Sequence, residues 1–129
     1  MQSSPPHLVD LLAPYPRLVE VGIGERPELA ADLVARGATV TATDIESRPV
    51  PEGVRFVRDD VTDPQRSVYR DAEAIYARRL PPELQRPTLS VSRAVGADLL
   101  FTTLGADSTV IPATPRSVVE GTVFVSERG

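Results

Sequence analysis

The 129-residue chain contains no cysteine and no lysine, and it has a single histidine, His7. Without cysteine it can form no disulfide and no thiolate-ligated metal site, and it has no thiol for catalysis. One histidine is too few for a typical transition-metal site, so we expect no metal and interpret His7 as a surface residue. Without lysine, the glycine-rich loop of P-loop phosphoryl-transfer enzymes is excluded.

Charge and length restrict the partners further. The formal net charge is -4, so the chain as a whole offers nucleic acid no electrostatic attraction. Residues 1–6 carry no basic region, and no long apolar run follows them. We therefore expect neither a signal peptide nor a membrane span, and a cytoplasmic protein. The length suits one domain covering residues 1–129.

Helical and extended patterns alternate along the first half of the chain. A short apolar stripe predicts a helix over 8–12, and Pro27, Leu29 and Leu33 predict another that ends at Gly37. Prolines 81 and 82 open a third helix that reaches residue 95, with a break or kink expected at Pro87. The predicted strands cover residues 18–21, 39–44, 54–57, 74–77, 98–103 and 122–126, with 108–111 as a further short candidate.

The early predicted strands are apolar throughout instead of alternating. This pattern favours a mostly parallel sheet that is covered by helices on both faces. We therefore expect a Rossmann-like, three-layer α/β/α fold with five to six strands. Right-handed crossovers would place the carboxyl ends of the strands along one edge, where ligands usually bind.

A glycine loop between the first predicted strand and the second helix is the strongest local signal. Gly22 can form a tight turn, and Gly24 allows close approach of a ligand to the backbone. Asp44 follows Gly24 by twenty residues, at the end of the second predicted strand. A carboxylate there can accept hydrogen bonds from both hydroxyls of a ribose.

Acidic residues around this loop bear on which cofactor it binds. Glu20 and Glu25 would repel the pyrophosphate of a dinucleotide, whose third glycine is replaced by Pro27. S-adenosylmethionine carries an ammonium and a sulfonium, which acids attract, so we favour it and keep a nicotinamide-type dinucleotide as the alternative. Because Glu20 lies on a buried strand, it needs a partner, either a ligand ammonium or an arginine such as Arg17 or Arg26.

Residues 19–62 resemble motifs I to III of Rossmann-like methyltransferases. The resemblance implies S-adenosylmethionine as cofactor and assigns the following residues to it: Glu20, Gly22 and Gly24 in the loop, Asp44 at the ribose, and Asp60 and Val61 at the adenine. The whole chain also resembles a family of small, uncharacterised archaeal Rossmann-like proteins, which implies a fold and no activity.

Several positions depart from the methyltransferase pattern. Glu25 stands where motif I often has a third glycine, and Leu80 and Glu83 replace the amide and the aromatic residue that flank paired prolines in many aminomethyltransferases. The end of the chain also looks too short for the full seven-stranded methyltransferase sheet. Two functions stay open: a small methyltransferase of unknown substrate, and a non-catalytic binding or regulatory domain that keeps the fold.

Arginines follow the fourth predicted strand, on the expected substrate side of the cleft. Arg78 and Arg79 are the substrate-side candidates, and no catalytic residue can be assigned. Arg79, Arg86 and Arg93 recur every seven residues and could share one helical face. Such a face would suit an anionic substrate or, as a minor alternative, an RNA backbone, but we favour the simpler interpretation of a solvated helix face.

Overall fold

Seven strands form a single sheet in the computed structural model, which describes residues 4–105 and 108–128. Their order across the sheet is β3-β2-β1-β4-β5-β7-β6. The strands are β1 (Arg17–Val21), β2 (Thr39–Asp44), β3 (Arg55–Arg58), β4 (Ala74–Ala77), β5 (Asp98–Phe101), β6 (Thr114–Val118) and β7 (Gly121–Ser126). The helices are α1 (Leu8–Leu12), α2 (Glu28–Ala35), α3 (Arg66–Tyr69) and α4 (Pro82–Val95).

Strands β1 to β5 pair in parallel, and successive side chains enter two separate apolar cores. On β1, Leu18 joins the core beneath α1 and α2, whereas Val19 joins the core beneath α3 and α4. Tyr76 and Ile75 divide in the same way on β4. Burial of both faces explains the continuous apolar runs, and it confirms the predicted Rossmann-like, three-layer, mostly parallel fold.

The end of the chain differs from the prediction. The strand number is seven, not five or six, because β6 pairs antiparallel with β7, which itself pairs antiparallel with β5. The candidate strand at 108–111 does not form, since the amide of Val110 donates to Gln85 Oε1 at 2.7 Å instead of to a strand. The predicted truncation of the sheet is therefore wrong, and it is the connections between strands that are short. Helix α3 is a single turn, and residues 102–105 and 108–113 contain no helix.

Helix α4 runs through Pro87 without interruption, so the predicted break does not occur. A proline at this position removes one backbone hydrogen bond near the start of the helix. The helix ends at Gly96, whose left-handed φ of 72° terminates it directly before β5. Because these strands pair in parallel, the carboxyl ends of β1, β2, β4 and β5 meet at one edge of the sheet. The candidate site lies at that edge.

Candidate functional site

The glycine loop leaves β1 in a conformation that favours glycine. Gly22 has φ 73° and Gly24 has φ 56°, both in the left-handed region. The amides of Gly22 and Ile23 both donate to the carbonyl of Thr43 at 3.0 Å, which ties the loop to the end of β2. No heavy atom lies within 4 Å of where a Cβ would stand on either glycine, so the loop borders open space.

Asp44 connects the end of β2 to this loop. Its Oδ2 accepts a hydrogen bond from the Gly24 amide at 2.8 Å, and its Oδ1 accepts one from the Glu46 amide at 3.0 Å. The guanidinium of Arg48 lies 3.7 Å from Oδ1. Each carboxylate oxygen has two acceptor sites, so Asp44 keeps capacity for a hydroxyl donor on either oxygen. The chain thereby orients Asp44 before any ligand arrives.

A groove of about 480 Å³ continues beyond Asp44 along the ends of β2 and β3. Ile45, which is 62% exposed, borders it and presents an apolar side chain to the groove. Asp60 lies in the same groove and accepts hydrogen bonds from the amide and the hydroxyl of Thr62, at 2.9 and 2.7 Å, which lower the pKa of Asp60. Val61 is buried beside it. The groove therefore offers an apolar surface next to an accessible carboxylate.

The neighbouring acid, Asp59, has a different task. It is buried and accepts hydrogen bonds from the Tyr69 hydroxyl at 2.5 Å and from the Gln65 amide at 2.9 Å. Burial and the Asp59 carboxylate raise the pKa of Tyr69 above its usual range. Asp59 thus fastens α3 to the sheet, and of the two successive acids only Asp60 is accessible to a ligand.

Glu20 is 1% exposed, and its carboxylate is engaged by the chain itself. The Tyr76 hydroxyl donates to Oε1 at 2.8 Å, and the Arg78 guanidinium lies 3.5 Å from Oε2. Burial raises the pKa of Glu20 to about 7, although Tyr76 and Arg78 oppose that shift. The arginine partner is therefore neither Arg17 nor Arg26, the two predicted candidates.

The two predicted candidates have other surroundings. Arg17 pairs with Glu73 at 2.9 Å, whereas the backbone carbonyl of Arg26 accepts a hydrogen bond from Arg78, the partner of Glu20, at 2.5 Å. Glu20 thus positions Arg78, and a ligand ammonium would have to displace that half-buried arginine to reach it.

Arg78 and Arg79 lie where β4 ends, opposite the glycine loop. Together with Arg26 and the loop they line a small cavity of about 320 Å³. Glu25, with a side chain that is 90% exposed, is the one acid on this lining. The acids therefore repel a pyrophosphate less than the sequence predicts, because three arginines and only one acid line the cavity.

A large cavity of about 940 Å³ adjoins the small cavity and shares Arg26, Arg78 and Arg79 with it. Its other walls come from α1, α2, the ends of β5 and the turn between β6 and β7. His7 lines it too, with Nδ1 3.5 Å from Glu120 Oε2. The two cavities and the groove follow one another along the same edge of the sheet.

The arginines of α4 do not belong to this edge. Arg86 and Arg93 flank a separate groove of about 420 Å³ against residues 110–112. Arg79 precedes α4 by three residues, so the three arginines do not share one helical face, contrary to the prediction. The proposed RNA-binding stripe is thus divided between two surfaces.

Two absences are shown for the described part of the chain. No helix within residues 4–105 and 108–128 is long and apolar enough to cross a membrane. Within the same residues, no three His, Cys, Asp or Glu side chains gather in a way that could hold a metal ion.

Three contributions to the site were not predicted from the sequence. Ile45 was overlooked, although an isoleucine directly after a strand-ending acid is a readable signal. Arg48 reaches Asp44, Glu46 and Glu25, and Thr102 holds the backbone of Arg79; both contacts depend on loop geometry that no sequence pattern shows.

Several solved structures with a similar fold are methyltransferases, and a putative Zn-dependent alcohol dehydrogenase from Rhodobacter sphaeroides is also similar, with a TM-score of 0.54 at 17% identity, covering 69% of this chain and 41% of that one. An RNA methyltransferase from Salinibacter ruber in complex with S-adenosyl-L-homocysteine superimposes with a TM-score of 0.64 at 16% identity, covering 92% of this chain and 88% of that one. The antibiotic-resistance methyltransferase Kmr gives a TM-score of 0.62 at 12% identity, covering 87% of this chain and 85% of that one. At these identities the likeness establishes the fold.

Sequence relatives cover nearly the whole chain. A UPF0146 protein from Halobacterium salinarum is 55% identical over 125 residues, which are 96% of this chain and 97% of the relative. The model of an uncharacterised protein family, UPF0146, matches residues 3–129. These matches confirm the predicted resemblance to small archaeal proteins of unknown activity: the chain belongs to the uncharacterised protein family UPF0146.

Proposed function

We propose that this protein binds S-adenosylmethionine at the carboxyl ends of β1, β2 and β3 and transfers its methyl group to a small acceptor. The observation that carries the proposal is the contact between Asp44 and the Gly24 amide at 2.8 Å. It places an oriented carboxylate beside an open, left-handed glycine loop, and the groove with Ile45 and Asp60 continues from the same point. A nucleoside fits that sequence of surfaces.

The residues present match the adenosyl part of the cofactor. Asp44 would accept the ribose hydroxyls, the exposed face of Ile45 would cover one side of the adenine, and Asp60 would accept its amino group. Val61 would supply a backbone contact to the ring. The groove is lined by three aspartates and by Arg58, whose Nε donates to the Ile45 carbonyl, and adenosine carries no negative charge that the carboxylates would repel.

The amino-acid part of the cofactor requires both signs of charge. Arg26 and Arg78 line the small cavity and provide donors for a carboxylate. Glu25 stands on the same wall and can face an ammonium. Glu20 acts indirectly here, because its contact with Arg78 fixes where that guanidinium lies.

S-adenosylmethionine supplies, when bound, an electrophilic methyl group on a sulfonium. The chain's own contribution is then orientation. The glycine loop would fix the cofactor, and the large cavity beside it would admit the methyl acceptor. Alignment of two reactants supplies much of a barrier reduction without a dedicated base, so the lack of an assigned catalytic residue does not oppose the proposal.

A dinucleotide is the second candidate ligand, and one observation favours it. Arg26, Arg78 and Arg79 surround the loop where a pyrophosphate would lie. Against it, α2 begins after Pro27, which has no amide hydrogen, and carries Glu28 in its first turn. The positive end of the helix is thereby weakened as a phosphate site.

Calorimetric titration with S-adenosylhomocysteine, with the oxidised nicotinamide dinucleotide in parallel, tests the proposal. We expect micromolar binding of the first ligand alone. Asp44→Ala should abolish it, Asp44→Asn should weaken it by about tenfold or more, and Glu52→Gln, an exposed acid in the loop after β2, should leave it unchanged.

The other outcomes each overturn a part of the proposal. Binding of the dinucleotide alone would refute S-adenosylmethionine as the cofactor and assign a dinucleotide instead. Binding of neither ligand would favour a non-catalytic domain that keeps the fold for its contacts. Unchanged affinity in Asp44→Ala would refute the assignment of the ribose.

A further inference from the structure

The loop after β4 holds Arg79 in a strained conformation at the border of the two cavities. Its φ is 55°, and it is the one residue other than glycine with a positive φ within residues 4–105 and 108–128. Strain of this kind persists only where the surroundings enforce it, and it clusters at functional sites.

The end of β5 provides that enforcement. The Arg79 amide donates to Thr102 Oγ1 at 2.9 Å, and the Leu80 amide donates to the Thr102 carbonyl at 2.8 Å. The Thr102 amide in turn donates to the carbonyl of Ala77 at 3.0 Å. Three hydrogen bonds to one threonine thus fix the loop, and Arg79 lines both cavities from it.

The charges of the large cavity are unevenly distributed. Its lining contains three acids. Asp32 lies 3.9 Å from Arg36, and Glu120 accepts a hydrogen bond from the Leu8 amide at 3.0 Å and faces His7. Glu28, in the first turn of α2, forms no ion pair in the described part of the chain. All three acids lie on the walls formed by α2 and the turn between β6 and β7.

The opposite wall carries three arginines, Arg26, Arg78 and Arg79. Arg26 and Arg79 form no ion pair with any acid in the described part of the chain. Arg78 shares the buried Glu20, and its Nε is buried without a hydrogen-bond partner. Guanidinium groups that converge on a cavity without ion-pair partners of their own are suited to an oxyanion.

The far wall is fixed before any ligand binds. The amide of Val119 donates to the carbonyl of Pro6 at 2.9 Å, next to the contact between Leu8 and Glu120. The segment before α1 is therefore fastened to the turn between β6 and β7. A cavity of about 940 Å³ lies within the range of sites for small molecules, and Leu29 and Phe124 give it an apolar part.

We infer that the large cavity binds a small molecule bearing an oxyanion, a phosphate or a carboxylate, held by Arg79 and Arg26. Its role as the methyl acceptor rests on the proposed function; the anion site itself does not. The acceptor atom would then lie on the side of the small cavity, because the three shared arginines stand between the two spaces.

Arg79→Gly tests the inference, because this substitution removes the guanidinium and glycine adopts a φ of 55° without steric cost. The probes are inorganic phosphate and malonate at low ionic strength, followed by the rise in unfolding temperature against sodium chloride of equal ionic strength. We expect saturable binding of at least one probe, at least tenfold weaker binding by Arg79→Gly, and binding within twofold of wild type by Arg86→Ala. The probe that saturates identifies phosphate or carboxylate as the recognised group.

Four results with the small ligands would overturn the inference. These are an unchanged affinity in Arg79→Gly, an equal loss in Arg86→Ala, competition between the dinucleotide and the bound probe, and no saturable binding of either probe. An RNA oligonucleotide that binds through Arg86 and Arg93 and displaces the probe would also refute a small-molecule site.

Asp44→Asn separates this inference from the proposed function, because Asp44 does not line the large cavity. We expect that variant to lose S-adenosylhomocysteine and to keep the anion. Anion binding without any affinity for S-adenosylhomocysteine in the wild type would refute the cofactor and preserve the anion site. The reverse result would refute the anion site alone.

Discussion

The buried carboxyl of Glu20 makes the stability of the protein depend on pH near neutrality. In the unfolded chain Glu20 titrates near its ordinary pKa of 4.5, whereas in the folded protein burial raises the pKa of Glu20 to about 7. Between these values the folded state binds more protons than the unfolded state. The free energy of unfolding therefore falls as pH rises, which is the opposite of the usual behaviour of a salt-bridged carboxylate.

The magnitude follows from the two pKa values. Each tenfold change in proton affinity is equivalent to about 1.4 kcal/mol, so a rise from 4.5 to about 7 corresponds to a loss of about 3 kcal/mol between pH 4.5 and pH 8. The contribution is fully present below pH 4.5 and absent above pH 7. Tyr76 and Arg78 favour the charged form and Glu28 opposes it, and the raised value already includes all three.

Glu20→Gln removes this titration while it keeps an oxygen to accept from the Tyr76 hydroxyl. Urea unfolding followed by circular dichroism at pH 5, 6, 7 and 8 should show the wild type losing about 2 to 3 kcal/mol relative to Glu20→Gln across the series. Glu25→Gln, which alters a side chain that is 90% exposed, should follow the wild type. A constant gap between the wild type and Glu20→Gln from pH 5 to pH 8 would refute the assignment of a raised pKa.

Two further predictions concern the packing that supports the site, and both can be read from urea midpoints at an unchanged m-value. Gly53→Ala should lower the free energy of unfolding by about 2 to 3 kcal/mol, because a Cβ there would lie 2.8 Å from Val34 Cγ1 at a φ of +88°. Gly37→Ala has open space around the added Cβ and should lower it only by the backbone part, about 1 to 2 kcal/mol. Equal losses at the two glycines would contradict the contact with Val34. Tyr69→Phe should cost about 1 to 3 kcal/mol, because it removes a buried hydroxyl that donates to Asp59. A loss too small to measure would mean that Asp59 does not depend on Tyr69.

The parallel half of the sheet could be predicted from the sequence because its signals are local. Residues 18–21 and 74–77 are apolar or aromatic except at Glu20, and 39–43 are β-branched except at Ala42. Asp44 could be placed at the end of its strand for the same reason. Strands that are buried on both faces leave such runs whatever their neighbours are.

The antiparallel end could not be predicted in the same way. Strand β6 contains Pro115 and is exposed except at Val118, so it lacks both an apolar run and an alternating pattern. Its backbone pairs with β7, and that pairing is a long-range property. Edge strands tolerate proline because one side of the backbone faces solvent.

The candidate site shows the same division between local and distant information. The glycine loop and the strand-ending acids are sequence motifs, and their positions could be predicted. The partner of Glu20 is 58 residues away, and the conformation of Arg79 depends on Thr102, 23 residues away. Such contacts follow from strand order, which the sequence pattern of any one element does not contain.

The order of strands also explains why opposite charges meet at this edge. Strands β2 and β3 lie on one side of β1; β2 ends in Asp44, and Asp60 follows β3. Strand β4 lies on the other side and is followed by Arg78 and Arg79. A ligand that crosses the end of β1 therefore passes from an acidic half to a cationic half. An uncharged nucleoside with hydroxyl and amino donors matches the first half, and an oxyanion matches the second. The glycine loop stands at the boundary, where a group transferred between two ligands would have to pass.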